Sequence, residues 1–202
     1  MRPTDALPHP EDWKTTTVGQ CVDLKRGVSW SKDQEHTEPG IGREPVIGIG
    51  NVQNTLELDK LVYLSGLKPI VVQKKRVTAG WTVVVGSNGN RGRVGNTAFI
   101  REDADFLFAS FLLGTKPKTM SELSPEYFYR WLSSAQVQGY LSASSEGTTG
   151  LNNLSHSFFR AMAIPVPPPR EQAAIAGMLD AAGPTRSCVT QRLTLLSGRP
   201  PA

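Results

Sequence analysis

Up to Pro165 the apolar residues of this chain fall in short, β-branched clusters, and beyond it they recur at steps of three and four. Short apolar runs bounded by glycine and polar residues argue strands, whereas three-four steps argue one face of a helix. Residues 13–28 therefore read as a strand or turn leading into a short helix. Residues 45–53 (PVIGIGNVQ) read as a strand whose glycines mark a bulge or the close approach of another backbone. Residues 77–85 carry a tight turn at Gly80 and then a buried strand. Residues 94–100 return as its partner, which makes a β-hairpin with a polar tip at 87–93 and glycines placed for positive φ. Residues 106–113 form one apolar strand. Ser124 as N-cap and Pro125 at the first helical position open a helix over 124–132. Its aromatics pack the core, with nucleic-acid stacking by Tyr127 or Trp131 as the alternative.

Between these elements lie two long polar stretches. Residues 29–44 hold a single large apolar residue, Trp30, and no periodicity. Loops of that length inside a domain tend to be functional. Residues 144–153 (SSEGTTGLNN) form a second polar loop. Pro165, Pro167, Pro168 and Pro169 cannot donate to a ladder, so they end any sheet and give a stiff connector. The helix after them carries a coiled-coil-like seam of Ile175, Leu179, Ala182, Val189, Leu193 and Leu196. Arg186 interrupts the seam, and Gly183-Pro184 breaks the helix, since an interior proline costs about 3 kcal/mol. A kink is expected at 183–184. A leader (1–11), a globular domain (12–169) and a spacer or dimerisation helix (170–197) follow from this pattern. The fold class is α+β, a twisted multi-stranded sheet with flanking helices and a C-terminal helix capable of coiled-coil pairing.

Composition changes this picture little and charge somewhat more. With 39% hydrophobic and 20% charged residues in 202, the chain is ordinary for a soluble globular protein. It has no apolar run of membrane-spanning length, and its first residues lack the apolar core of a secretory signal, so a cytoplasmic location is expected. Cys21 and Cys188 have no metal-ligand spacing and are expected to be idle thiols. The net charge is +4, but the seven Lys and Arg between Lys68 and Arg101 meet no Asp or Glu. Such a block points to a face turned toward a polyanion.

Catalytic constellations are missing from the sequence. It contains no Walker loop, no Asn/Asp-Pro-Pro-Tyr/Phe string, no nuclease-like acidic pair and no Gly-x-Ser-x-Gly elbow. His9, His36 and His156 are scattered. The glycine-rich stretch at 86–95 is followed by a strand and not by the helix that a dinucleotide fingerprint needs. What the chain does offer suits DNA. Arginine reads guanine, and asparagine or glutamine reads adenine, while lysine holds phosphate. The candidates are Ser31 and Lys32 in the first loop, Asn51 and Gln53 after the first central strand, and Lys74, Lys75 and Arg76 for the backbone. Ser87, Asn88, Asn90, Arg91 and Arg93 occupy the hairpin tip, and Thr148, Thr149, Asn152 and Asn153 the second polar loop. Each asparagine has a competing use, capping a turn through its own side chain.

The segment Ile164-Pro165-Val166-Pro167-Pro168-Pro169-Arg170-Glu171-Gln172-Ala173-Ala174-Ile175-Ala176 resembles the Pro-x-Pro-Pro-x-x-Glu-Gln-x-x-Ile-Ala signature of type I restriction-modification specificity subunits. There it joins a target recognition domain to a spacer helix. The likeness extends from about Trp13 to Ile175. Val18-Gly19-Gln20 is similar to the family's opening Leu/Val-Gly-Glu, and Val46 stands where an aromatic is common. The glycine of the family's Gly-Asp turn is kept at Gly80, with Trp81 in place of the aspartate. The hairpin at 86–100 and the aromatic helix at 127–132 also have counterparts. The resemblance implies a non-catalytic, half-length specificity subunit with one recognition domain, which binds double-stranded DNA at a bipartite site. It implies methyltransferase and motor-nuclease subunits as partners, with S-adenosylmethionine, ATP and Mg held by them and no cofactor or metal here, and pairing with a second copy as a further prospect. The rival expectation is a remnant that binds methyltransferase subunits without reading DNA.

Overall fold

Four consecutive residues, Thr82–Val85, are buried on both faces of a sheet, and the molecule is layered around them. The computed structural model describes residues 5–182 apart from Asn54, Ala104 and Thr149. Strand β1 (Lys14–Thr17) meets helix α1 (Val18–Cys21) and strand β2 (Val22–Arg26). Short strands β3 (Glu35–His36), β4 (Arg43–Ile47) and β5 (Val62–Ser65) follow, then helix α2 (Pro69–Lys75). Next come β6 (Thr82–Val85), β7 (Ser87–Asn88), β8 (Thr97–Phe99), β9 (Leu107–Phe108) and β10 (Leu112–Pro117). After α3 (Pro125–Leu132) and α4 (Ala135–Ala143) lie β11 (Glu146–Thr148), β12 (Leu151–Asn153), α5 (His156–Ala161), β13 (Ala163–Val166) and α6 (Pro169–Ala182).

The strands form four small sheets among the described residues. The central one is antiparallel in the order β2-β10-β6-β8, and a second runs β3-β5-β4-β9, with β4 and β9 parallel. The chain crosses from the first to a third, β11-β12-β7, simply by continuing from β6 through Gly86 into β7. Alternation along β6 decides the layers. Val84 packs on α3, α4 and α5 through Phe128, Leu132, Leu141 and Phe159. Val83 and Val85 face the opposite way, onto Ile47, Phe106 and Phe108. The α+β expectation holds.

The hairpin and the aromatic helix stand where expected. β6 pairs with β8, and Ser124 accepts the Tyr127 N–H at 3.1 Å. Tyr127 and Trp131 are buried, which makes them core and removes stacking. Of the hairpin glycines, only Gly95 takes a positive φ, +97°. Gly80 also does, at +82°. The carboxylate that Trp81 displaces is replaced from elsewhere, because Asp103 accepts the Ala79 N–H at 2.9 Å.

Three expectations are corrected. Residues 106–113 are two strands, since the Leu112 N–H turns back to the Ala109 carbonyl at 2.9 Å. Residues 45–53 are strand only as far as Ile47, after which a 3₁₀ turn spans Ile49–Asn51. Pro165 lies inside a ladder, opposite Thr15. A two-stranded ribbon leaves one side of β13 free, so the missing N–H costs nothing there, and its carbonyl accepts the Tyr127 hydroxyl at 2.8 Å.

Helix α6 is docked on the domain. Ile175, expected in the pairing seam, instead packs against the core of its own domain beside α3, and Asp180 pairs with both Arg101 and Arg130. Met178 and Leu179 stay exposed. Ala182 closes the described helix, and Val189, Leu193, Leu196 and the expected kink at 183–184 lie outside the described residues.

The Cys21 thiol donates to the Thr17 carbonyl at 3.2 Å, and burial pushes its pKa up to about 11. At pH 8 only about one part in a thousand is then thiolate, the reactive form. In a Cys188→Ser background, alkylation by iodoacetamide at pH 8 is expected to be at least ~50-fold slower than for an unfolded control.

Candidate nucleic-acid interface

The register of the third sheet brings two separate candidate groups together. Asn152 lies opposite Asn88 and Asn153 opposite Ser87, while β11, which contains Thr148, flanks β12. Thr149 lies outside the described residues. The segment 144–153, expected as a loop, is thus a hairpin, turning at Gly150 with φ +85°. Side chains lock the two groups to each other. The Ser87 hydroxyl donates to Asn153 Oδ1 at 2.6 Å. Asn152 Nδ2 donates to the Gly89 and Asn88 carbonyls at 3.0 and 3.3 Å.

The tip beyond β7 is shaped by its own amides. Asn88 Oδ1 accepts the Asn90 N–H at 2.8 Å, and Asn90 Oδ1 accepts the Gly92 N–H at 2.9 Å. These are turn caps, the competing use open to an asparagine. Both residues keep their Nδ2 groups without a partner among the described residues. Arg91 caps the end of α4, donating to the Ser142 and Ala143 carbonyls at 2.9 and 2.6 Å. Arg93 donates from one nitrogen to the Ile49 and Val52 carbonyls at 3.2 and 3.4 Å. The tip is therefore a braced platform with exposed Asn90 and Arg91.

Asn51 is a correction. It is 6% exposed; its Oδ1 accepts the Gly48 N–H at 2.7 Å, and its Nδ2 donates to the Glu57 and Lys60 carbonyls at 2.7 and 3.1 Å. An amide so enclosed has nothing left for a base edge. Asn51→Ala is expected to cost about 2–3 kcal/mol by removing a buried amide and leaving three partly buried backbone groups unpaired, measurable by urea unfolding, with no change in any DNA sequence preference. Gln53 is exposed and braces Gly50 at 3.0 Å. Ser31 and Lys32 sit on a 3₁₀ turn at the surface, where Gln34 Oε1 accepts the Ser31 N–H at 3.2 Å.

The basic block is acid-free in sequence but not in space. Arg76 pairs with Glu44 and Asp105, and Arg101 with Asp180. Arg76 is thereby neutralised, which argues against a phosphate role for it. Lys74 is exposed, and Lys75 donates to the Arg26 carbonyl at 2.6 Å. Sequence reading missed Lys25 and Lys116, which register alone delivers here. Lys25 Nζ donates to the Arg76 carbonyl at 2.7 Å and lies 3.8 Å from the Trp81 ring centre. Burial, then the charges of Lys75 and Lys116, lower its pKa to about 8. A cation crowded by like charges favours an anion nearby.

Among the described residues no group of three or more His, Cys, Asp or Glu could hold a metal, and no helix is long and apolar enough to cross a membrane.

Residues 10–194 match the type I restriction modification DNA specificity domain. The chain is 28% identical over 172 residues to the StySPI specificity subunit of a type I restriction enzyme from Salmonella potsdam. It is 26% identical, again over 172 residues, to the EcoKI specificity subunit from Escherichia coli strain K12. Each match covers 85% of this chain and 36% of the relative, so the chain spans little more than a third of those proteins. In fold it is similar to the HsdS subunit from Thermoanaerobacter tengcongensis, with TM-score 0.60, 17% identity and coverage of 95% of this chain and 40% of that one. It is also similar to the S subunit of the M. genitalium type I restriction-modification system, with TM-score 0.58, 21% identity and coverage of 90% and 41%.

Proposed function

The chain belongs to the type I restriction modification DNA specificity domain family, and on that premise we propose that it is a sequence-reading, non-catalytic recognition subunit. The observation that carries this is the joining of the β7 and β12 candidates into one braced polar sheet. Fixed donors lose little entropy on binding, and Asn90 and Arg91 on the tip have the chemistry for base edges or phosphates. Lys25, Lys74, Lys75 and Lys116 supply the phosphate-neutralising charge. The chain acts in the cytoplasm on double-stranded DNA, directing methyltransferase and motor-nuclease subunits to one half of a bipartite site. S-adenosylmethionine, ATP and Mg belong to those partners. Pairing of two copies through Leu179, which α6 leaves exposed, and the seam residues beyond it yields a two-fold complex, which requires an inverted-repeat target.

The test is a genome-wide map of modified adenines in the host with this gene intact and deleted. Loss of one bipartite motif on deletion is the expected result, and a palindromic motif identifies the paired form. An unchanged map refutes the reading and favours a partner-binding remnant, which co-purification with methyltransferase subunits would then identify.

A further inference from the structure

Two large apolar residues are exposed at or beside this polar sheet, Leu151 on β12 at 38% and Phe111 on the turn tied to β7. Phe111 is 49% exposed, although its neighbours Leu112 and Leu113 are buried at 1% and 4%. It occupies the third position of the turn that links β9 to β10, closed by the Leu112 N–H on the Ala109 carbonyl at 2.9 Å. Its backbone is tied on two sides. The Phe111 carbonyl accepts the Gly86 and Ser87 N–H groups at 2.9 and 3.1 Å, and the adjacent Ser110 N–H donates to the Val28 carbonyl at 2.7 Å. The turn therefore bridges the strand that carries Ser87 and Asn88 and the segment that runs on to Ser31 and Lys32. Scattered apolar residues are normal on a surface. Phe111 is held on a turn whose backbone is pinned to both polar segments, and the burial of Leu112 and Leu113 on either side of the strand start keeps that turn in place.

We propose that Phe111 is a specificity residue that recognises thymine through apolar contact with the 5-methyl group in the major groove. The inference rests on the DNA-reading function proposed above. Asparagine and arginine read hydrogen-bonding edges and cannot detect a methyl group, whereas a phenyl ring can. A half-buried ring offers an edge or one face for such contact. It lacks the full projection of a wedge that inserts between base steps.

The test uses the chain co-purified with its methyltransferase subunits and the target motif mapped as above. Each thymine in the half-site is replaced in turn by deoxyuridine, which lacks only the methyl group, and affinities are measured for the unaltered protein, Phe111→Ala and Phe111→Leu. At one position deoxyuridine is expected to weaken binding by the unaltered protein about three- to five-fold, the value of one buried methyl. Phe111→Ala should bind thymine and deoxyuridine equally there, and Phe111→Leu should fall between. Thermal melting confirms that the variants are folded. Equal deoxyuridine sensitivity in Phe111→Ala and the unaltered protein overturns the proposal, as does a half-site without thymine or with no sensitive position. Loss of methyltransferase co-purification by a folded Phe111→Ala, with thymine discrimination intact, overturns it in favour of a protein contact. Absence of any sequence preference in the unaltered protein instead sinks the DNA-reading function itself, and the proposal with it.

Discussion

Replacing Gly27 with alanine is expected to leave little folded protein. A Cβ at that position would fall inside the contact shells of the Phe108 and Ala109 carbonyl oxygens. Neither oxygen belongs to a flexible side chain, and neither backbone is free to retreat. The Phe108 carbonyl accepts the Val28 N–H at 2.8 Å, and the Val28 carbonyl in turn accepts the Ser110 N–H at 2.7 Å. Relief would require β2 to part from the β9–β10 turn, breaking both bonds and opening the core around Val28 and Ala109. The cost is expected to exceed ~4 kcal/mol, the size reserved for strain and overpacking in a core. Soluble yield and urea unfolding measure it. Gly139→Ala is the control: nothing lies within 4 Å of a Cβ there, and the position is interior to α4. Alanine at that site is expected to stabilise by about 0.5–1 kcal/mol through helix propensity. A mild effect at Gly27 would mean that the two segments can separate, and Phe111 would then not be rigidly placed.

What was legible in the chain is what local rules decide. The valines of β6 announce a strand buried on both faces, and Ser124-Pro125 announces a helix start because capping is settled within four residues. Helix α2 was hidden, since a four-residue apolar run at 69–72 has no period long enough to separate helix from strand. How the candidate residues meet, and what their side chains do, was not legible. Asn88, Asn90, Asn152 and Asn153 do converge, yet their bonds hold the platform together, and only register reveals this. Charge was the least legible property. An acid-free run in sequence says nothing of Glu44, Asp105 and Asp180, which fold back on it. Nor does it announce Lys25 and Lys116, which arrive from other strands. The turn at Gly80 shows the converse, a missing aspartate made good by Asp103.

Gln172→Ala is expected to detach α6 from the domain at a cost of about 3 kcal/mol. The residue is 1% exposed, and its amide serves three backbone groups. Oε1 accepts the Ser124 N–H at 2.7 Å, and Nε2 donates to the Glu122 and Pro167 carbonyls at 2.7 and 2.8 Å. Alanine would leave the Pro167 carbonyl buried without this partner and the Ser124 and Glu122 groups partly buried without it, at about 1–3 kcal/mol for a fully buried group and less for the other two. Asp180→Ala removes the other tether, the pairs to Arg101 and Arg130. Those ions are partly exposed, so about 1 kcal/mol or less is expected. Burial works against the Asp180 carboxylate, but the two guanidiniums outweigh it and hold its pKa below the usual value. Its contribution is therefore present at neutral pH and lost as the pH falls through that lowered value. Urea unfolding at pH 7 ranks the two variants, and the adenine map gives their functional cost. Because Gln172 sets how the helix leaves the domain and touches no base-reading group, its loss should reduce the extent of methylation while the motif stays the same. A changed motif would place Gln172 in recognition. Equal costs for the two variants would mean that charge, and not the buried amide, fixes the helix.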